Sequence, residues 1–183
     1  MSGNSPSKKE FEAMFQEHGL NDYKWIDSKD IVVAQWVRMK CMFGCPTYGK
    51  CASCPPNLPS VSECRKFFDE YSDIAIFHIP VEVDKADDRH EVTKEISMKL
   101  LKLERAVFLS GYVKAFMLPI DNCSFCSDCV TSREDCKQPK LSRPTPEGMA
   151  VDVFSTVKKV GFPIEVLTDY DQAMNRYAFL LVR

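Results

Sequence analysis

The sequence predicts an α+β (mixed α/β) fold: a single domain with one central mixed sheet, flanking helices, and two cysteine-rich loops at one end of the sheet. Three observations predict it. At 183 residues the chain suits one domain, long enough to bury a real core without disulfide staples. Short β-branched and aromatic runs alternate with stretches whose apolar residues recur at helical spacing. No repeat, low-complexity tract or linker divides the chain, so residues 1–10 are expected to be a disordered start and 11–183 one domain.

The elements follow in order. Phe11 to His18 suits a short helix stopped at Gly19. Ile31 to Met39 (IVVAQWVRM) is β-branched and aromatic and is expected to be a strand running into the first cysteines. Ser60 with Glu63 forms a capping box for a helix whose apolar stripe is Val61, Cys64, Phe67, Phe68 and Tyr71. Ile74 to Val83 is the next strand, with Pro80 favouring an edge position or a strand end. Residues 88–109 make the longest helix, with Val92, Ile96, Leu100, Leu103 and Val107 on one face. Tyr112 to Ile120 is expected to be a third strand. A helix capped by Thr145, with Pro146 in its first turn and Gly161 after it, comes next. Strands around Ile164–Leu167 and Arg176–Val182 close the chain.

Composition narrows function mainly by exclusion. A net charge of −2 gives no broad electrostatic reason to bind nucleic acid or an anionic membrane. No apolar run approaches the roughly 20 residues that span a bilayer. The polar start lacks the apolar stretch of a secretory signal, so a reducing cytoplasm is the expected setting. No phosphate loop, dinucleotide fingerprint or nucleophile elbow is present. Trp25 and Trp36 are expected in the core. The acidic pairs Asp87–Asp88 and Glu134–Asp135 look like solvated charge, His78 like a satisfied structural histidine and His90 like a solvated helix start.

The departure from the ordinary is the 9 cysteines, which are clustered. Reduced, clustered cysteines point to metal ligation. Cys123, Cys126 and Cys129 form C-x2-C-x2-C, and Cys136 follows after six residues. Thiolates at that spacing wrap a compact loop around one corner of a 4Fe–4S cubane, and bacterial ferredoxins begin with the same run. There the next cysteine comes after three residues and precedes a proline, so the match is partial. Zinc prefers two separated pairs. Cys41, Cys45, Cys51 and Cys54 put four more thiols within fourteen positions, enough for a second cubane or a tetrahedral zinc site. Gly44 and Gly49 let the backbone turn there. Arg38, Lys40 and Lys50 are placed to lower thiol pKa values or to balance an anionic cluster. Cys41-x3-Cys45 also begins the radical S-adenosylmethionine pattern, but its third position holds Tyr48, which excludes it. Cys64 belongs to the apolar face of its helix and is expected in the core.

The strings CMFGCPTYGKCASCPPNLPS, LERAVFLSGYVKAF and RPTPEGMAVDVFSTVKKVGF, with the Cys123–Cys136 group, carry a resemblance. Over about residues 30–165 the chain resembles a bacterial and archaeal family of predicted metal-binding proteins with a cysteine-rich domain of unknown function (domain of unknown function 2284). The resemblance implies cysteine-based metal binding, iron–sulfur above all. It matches Cys41, Cys45 and Cys54 to the family's first set and Cys123, Cys126, Cys129 and Cys136 to its second, with Cys51 less typical. The expected function is electron transfer to or from a redox partner protein through one or two 4Fe–4S clusters. Two alternatives stay open: an enzyme or maturation factor with an under-ligated cluster, and a zinc-stabilised interaction module.

Overall fold

A computed structural model describes residues 7–83, 89–168 and 172–183. Its order is α1 (Lys8–Glu17), β1 (Tyr23–Ile26), a 3-10 turn (Ser28–Asp30), α2 (Gln35–Gly44), α3 (Val61–Phe68), β2 (Ile74–Val81), α4 (Arg89–Leu109), β3 (Phe116–Leu118), α5 (Val153–Lys159) and β4 (Met174–Leu181). The four strands form one sheet in the order β1-β2-β4-β3.

Side-chain alternation on the two inner strands builds two cores. Ala75, Phe77, Ile79 and Val81 of β2, with Ala178 and Leu180 of β4, face Phe11 and Phe15 of α1 and Leu100, Leu103 and Val107 of α4. Ile74 and Ile76, with Tyr177, Phe179 and Leu181, face Cys64 and Phe68 of α3 and Val153 and Val157 of α5. The result is three layers, helix–sheet–helix. Because both faces are covered, the inner strands are largely apolar, broken only by His78 in β2 and by Asn175 and Arg176 in β4, close to the pattern usual in parallel sheets. The expected mixed sheet is nevertheless antiparallel at every pairing.

Several elements match expectation in detail. Ser60 Oγ accepts from Glu63 N at 3.3 Å, and Ser60 N donates to Glu63 Oε2 at 2.8 Å, closing the capping box. Gly19, at φ +64°, ends the first helical segment. Pro80 lies on an inner strand, opposite Asn175, but beyond the residues that pair with β1, so its missing N–H costs no ladder bond on that side.

Others differ. Ile31–Met39 is not a strand: Val33 makes a single bridge to Val151, and from Gln35 the chain is helical. Gln35, Arg38, Met39, Lys40 and Met42 are straight-chain helix formers, and only Val37 of α2 is buried, so nothing there alternates. Lys8–Glu10, assigned to the disordered start, open α1; residues 1–6, like Asp87, Asp88 and the remainder of 84–88, lie outside the described residues. β1, a four-residue strand, was not expected. β3 is confined to Phe116–Leu118, because Tyr112–Ala115 close a turn through Ala115 N donating to Tyr112 O at 2.9 Å. The helix expected from Thr145 is divided. Thr145 Oγ1 accepts from Gly148 N at 3.0 Å, Ala150 at φ +62° breaks the run, and Asp152 caps α5 by accepting from Ser155 N at 2.9 Å. Residues 164–167 are irregular and form one wall of a cleft. No helix among the described residues is long and apolar enough to cross a membrane.

Candidate metal centre and adjoining cleft

The helical course of α2 decides where the first cysteines stand. Cys41 lies in its last turn and Cys45 is its C-terminal cap, with Cys45 N donating to Cys41 O at 3.4 Å. Successive turns then carry the chain to Cys54. Tyr48 N donates to Cys45 O at 3.2 Å, Gly49 N to Pro55 O at 3.0 Å and Cys54 N to Cys51 O at 3.1 Å. Gly49 has φ +71°, a conformation that glycine adopts without strain. Arg38 pins the whole loop: its Nη2 donates to Pro59 O at 3.0 Å and to Gly148 O at 3.1 Å.

The thiols of this loop feel one another. Burial, and then the neighbouring Cys51, Cys45 and Cys41, push the Cys54 thiol up to about 12. Burial and Cys45 raise Cys41, with Arg38 opposing and Glu147 adding to the rise. The expected lowering of thiol pKa by basic neighbours is therefore outweighed: Arg38 acts in that direction, but desolvation and thiol–thiol repulsion are larger.

The second loop is anchored at both ends. Asp121 pairs with Arg176 of β4 at 3.3 Å, and Arg143 Nε with Glu104 Oε1 of α4 at 3.0 Å. The same carboxylate oxygen accepts from Met117 N at 3.0 Å. Between these anchors Cys123, Cys126, Cys129 and Cys136 line one recess together with Asp128 and Lys137.

The two loops meet. Asn57 Nδ2 donates to Cys51 O at 3.2 Å in the first and to Thr131 O at 2.6 Å in the second. Asn122 Nδ2 lies 4.0 Å from Cys51 Sγ. After burial, Cys129 is the largest influence on Cys51, and it raises the Cys51 thiol. Cys51 thus stands at the junction, touching Cys54 on one side and Cys129 on the other. All nine cysteines are free thiols. Among the described residues no three His, Cys, Asp or Glu side chains are gathered closely enough to hold a single metal ion. The first loop's donor set suits a metal: Cys41, Cys51 and Cys54, whose thiol pKa values are raised by burial and by neighbouring cysteines, would be held together as thiolates near neutral pH by a bound cation.

Cys64 is fully buried in the core. His78 is held between Asp22 Oδ2 at 2.6 Å and Asn175 Oδ1 at 2.7 Å and stacks on Tyr177, a satisfied structural histidine. Trp36, expected in the core, is 50% exposed; Trp25 is half-buried and donates to Glu12 Oε1 at 3.0 Å.

Trp36, Lys40, Cys41 and Cys45 form one side of a cleft of about 960 Å³, closed opposite by residues 164–167 and the start of β4. Glu147 lines it and is exposed, yet protein atoms crowd its carboxyl closely enough that desolvation raises its pKa, against hydrogen bonds from the local backbone and Thr145 that lower it. Asp121 adds to that rise and Arg176 opposes it. Tyr177 lies on the floor, its hydroxyl donating to Pro163 O. Burial, then the Asp22 carboxylate, push this phenol up to about 12 from 10.0. Above the ordinary value the unfolded chain loses this proton while the folded chain keeps it. Stability is therefore expected to fall as pH rises from 10.0 toward about 12. Urea midpoints measured across that interval check it, and Tyr177→Phe should flatten the slope.

Sequence reasoning missed Asn57, Asn122, Asp121 and Glu147. Asn57, Asn122 and Asp121 had a signal, a polar side chain within three residues of a cysteine; Glu147 had none, since the cleft joins segments far apart in the chain.

The family described as Predicted metal-binding protein (DUF2284) matches residues 24–182, and the chain belongs to it. Neither the curated proteins nor the solved structures compared with the chain gave a match.

Proposed function

From membership in a family of predicted metal-binding proteins, we propose that this chain holds 4Fe–4S clusters in its two cysteine loops and passes electrons to or from a redox partner protein. Cys41, Cys45 and Cys54, with Cys51, would hold one; Cys123, Cys126, Cys129 and Cys136 the other. The observation that carries this is the junction: Asn57 ties Cys51 to Thr131, and Cys51 meets Cys129, so centres in the two loops would be neighbours. A bound cluster supplies one-electron chemistry at a potential set by burial and by hydrogen bonds to its sulfurs. The chain's part is to hold the thiolates, to limit water at the buried Cys51, and to offer an approach. Met42 and Phe43, 43% and 78% exposed beside the first loop, give apolar surface of the kind a partner covers. Free thiols in this number suit a reducing compartment, the cytoplasm.

Protein purified without oxygen is expected to carry about eight irons and eight acid-labile sulfides per chain. Its visible absorption should bleach with dithionite. Stoichiometric zinc without sulfide would sink the proposal and leave a zinc-stabilised module. The enzyme alternative is favoured by one observation, the cleft that Cys41 and Cys45 help to line.

A further inference from the structure

The cleft beside the first cysteine loop has the size of a small-molecule site, about 960 Å³, where such sites run from about 300 to 1,000 Å³. Its charge is one-sided. Asp121, Glu147, Asp152 and Glu165 line it against Lys40 and Arg176, four acids to two bases. Arg176 is matched by Asp121 at 3.3 Å, and Asp152 is occupied by the N-terminus of α5. Other polar groups are also engaged: Asn175 with His78, the Tyr177 hydroxyl with Pro163 O, and Gln172 Oε1 with Thr168 N at 2.9 Å. Glu147 and Glu165, set against Lys40, remain as the charge offered to a ligand, a balance of one negative charge. The apolar walls include Trp36, 50% exposed, and Leu167, 42% exposed. Phe154 already carries Lys158 Nζ at 5.9 Å from its ring, whereas Trp36 has no such neighbour among the cation–ring pairs of the described residues.

We propose that this cleft binds a small organic cation, an amine with an apolar body, its ammonium between Glu147, Glu165 and the face of Trp36, and its body against Leu167. Two independent features select a cation: the excess of carboxylates over bases in the lining, and an exposed indole whose face attracts positive charge. Cys41 and Cys45, which line the same cleft, set the bound amine beside whatever metal those cysteines hold. Binding itself does not depend on that metal; what happens to the ligand rests on the function proposed above.

The test titrates phenethylamine, and 3-phenylpropionate as its anionic counterpart, into full-length protein purified without oxygen. Tryptophan fluorescence and calorimetry are followed, and iron is counted on the same sample. Saturable binding of the amine, at least about tenfold tighter than the anion, is expected. Glu147→Gln and Trp36→Ala should each weaken it several-fold. Glu165→Gln, at an exposed position where folding is not at risk, should weaken it as well. An anion that binds as tightly as the amine, no saturable binding of either, or binding indifferent to all three substitutions overturns the proposal. Iron present without amine binding sinks the cleft proposal alone; amine binding without iron sinks the cluster proposal alone.

Discussion

Cys126→Ser is expected to lower iron and acid-labile sulfide from about eight to about four per chain. Cys126 is the middle thiol of the C-x2-C-x2-C run and lines the same recess as Cys123, Cys129 and Cys136. Removing it takes a ligand from the centre of that set, and a serine oxygen replaces a soft thiolate poorly. Cys51→Ser tests the junction. Its thiol lies between Cys54 and Cys129, so its loss should disturb the spectra of both centres rather than one. Cys64→Ala is the control: fully buried among Phe68 and Ile76, it should leave the iron count unchanged. Cys126→Ser protein that keeps all its iron would show that Cys126 is not a required ligand.

Phe77→Ala should cost about 3–5 kcal/mol of folding stability, the range for truncating a buried aromatic. Phe77 is fully buried on β2, with Phe15 edge-on at 4.8 Å and Tyr23 at 6.3 Å between ring centroids. It packs between α1 and the inner sheet, so its removal opens a cavity between two layers. Val166→Ala, at a side chain 77% exposed, should stay within about 0.5 kcal/mol. Urea unfolding at one fixed metal content measures both, because bound metal would add its own stabilisation. A loss under about 1 kcal/mol for Phe77→Ala would mean that the core relaxes around the gap.

What could be read from the residues is what local chemistry decides. Ser60 and Glu63 announce their helix because the capping box is complete within four residues. The stripe from Val92 to Val107 announces α4 because its period is helical. His78 could be assigned a structural role from its place in a strand, although its partners Asp22 and Asn175 could not be named. The failures come where local preference is ambiguous or where distant segments decide. Ile31–Val33 looks β-branched, yet one bridge is all it makes before the straight-chain residues of α2 take over. That misassignment also hid the placement of Cys41 in the last turn of α2 and of Cys45 at its cap. The antiparallel sheet could not be told from a mixed one, since helices on both faces erase the alternation. The cleft was invisible because Trp36, Glu147 and Tyr177 meet only in three dimensions.

The place of β4 has a consequence for how the protein is made. It sits between β2 and β3, yet it is translated after both cysteine loops. Leu118 ends β3 and Met174 begins β4, an interval that takes roughly 3–11 seconds at ordinary synthesis rates. By the end of that interval all eight thiols of the two loops have been synthesised, while the sheet still lacks an inner strand and Asp121 has no Arg176 to hold it. On the function proposed above, metal delivery belongs after synthesis of β4, and a chain halted within the interval would carry two cysteine loops that still lack their scaffold strand.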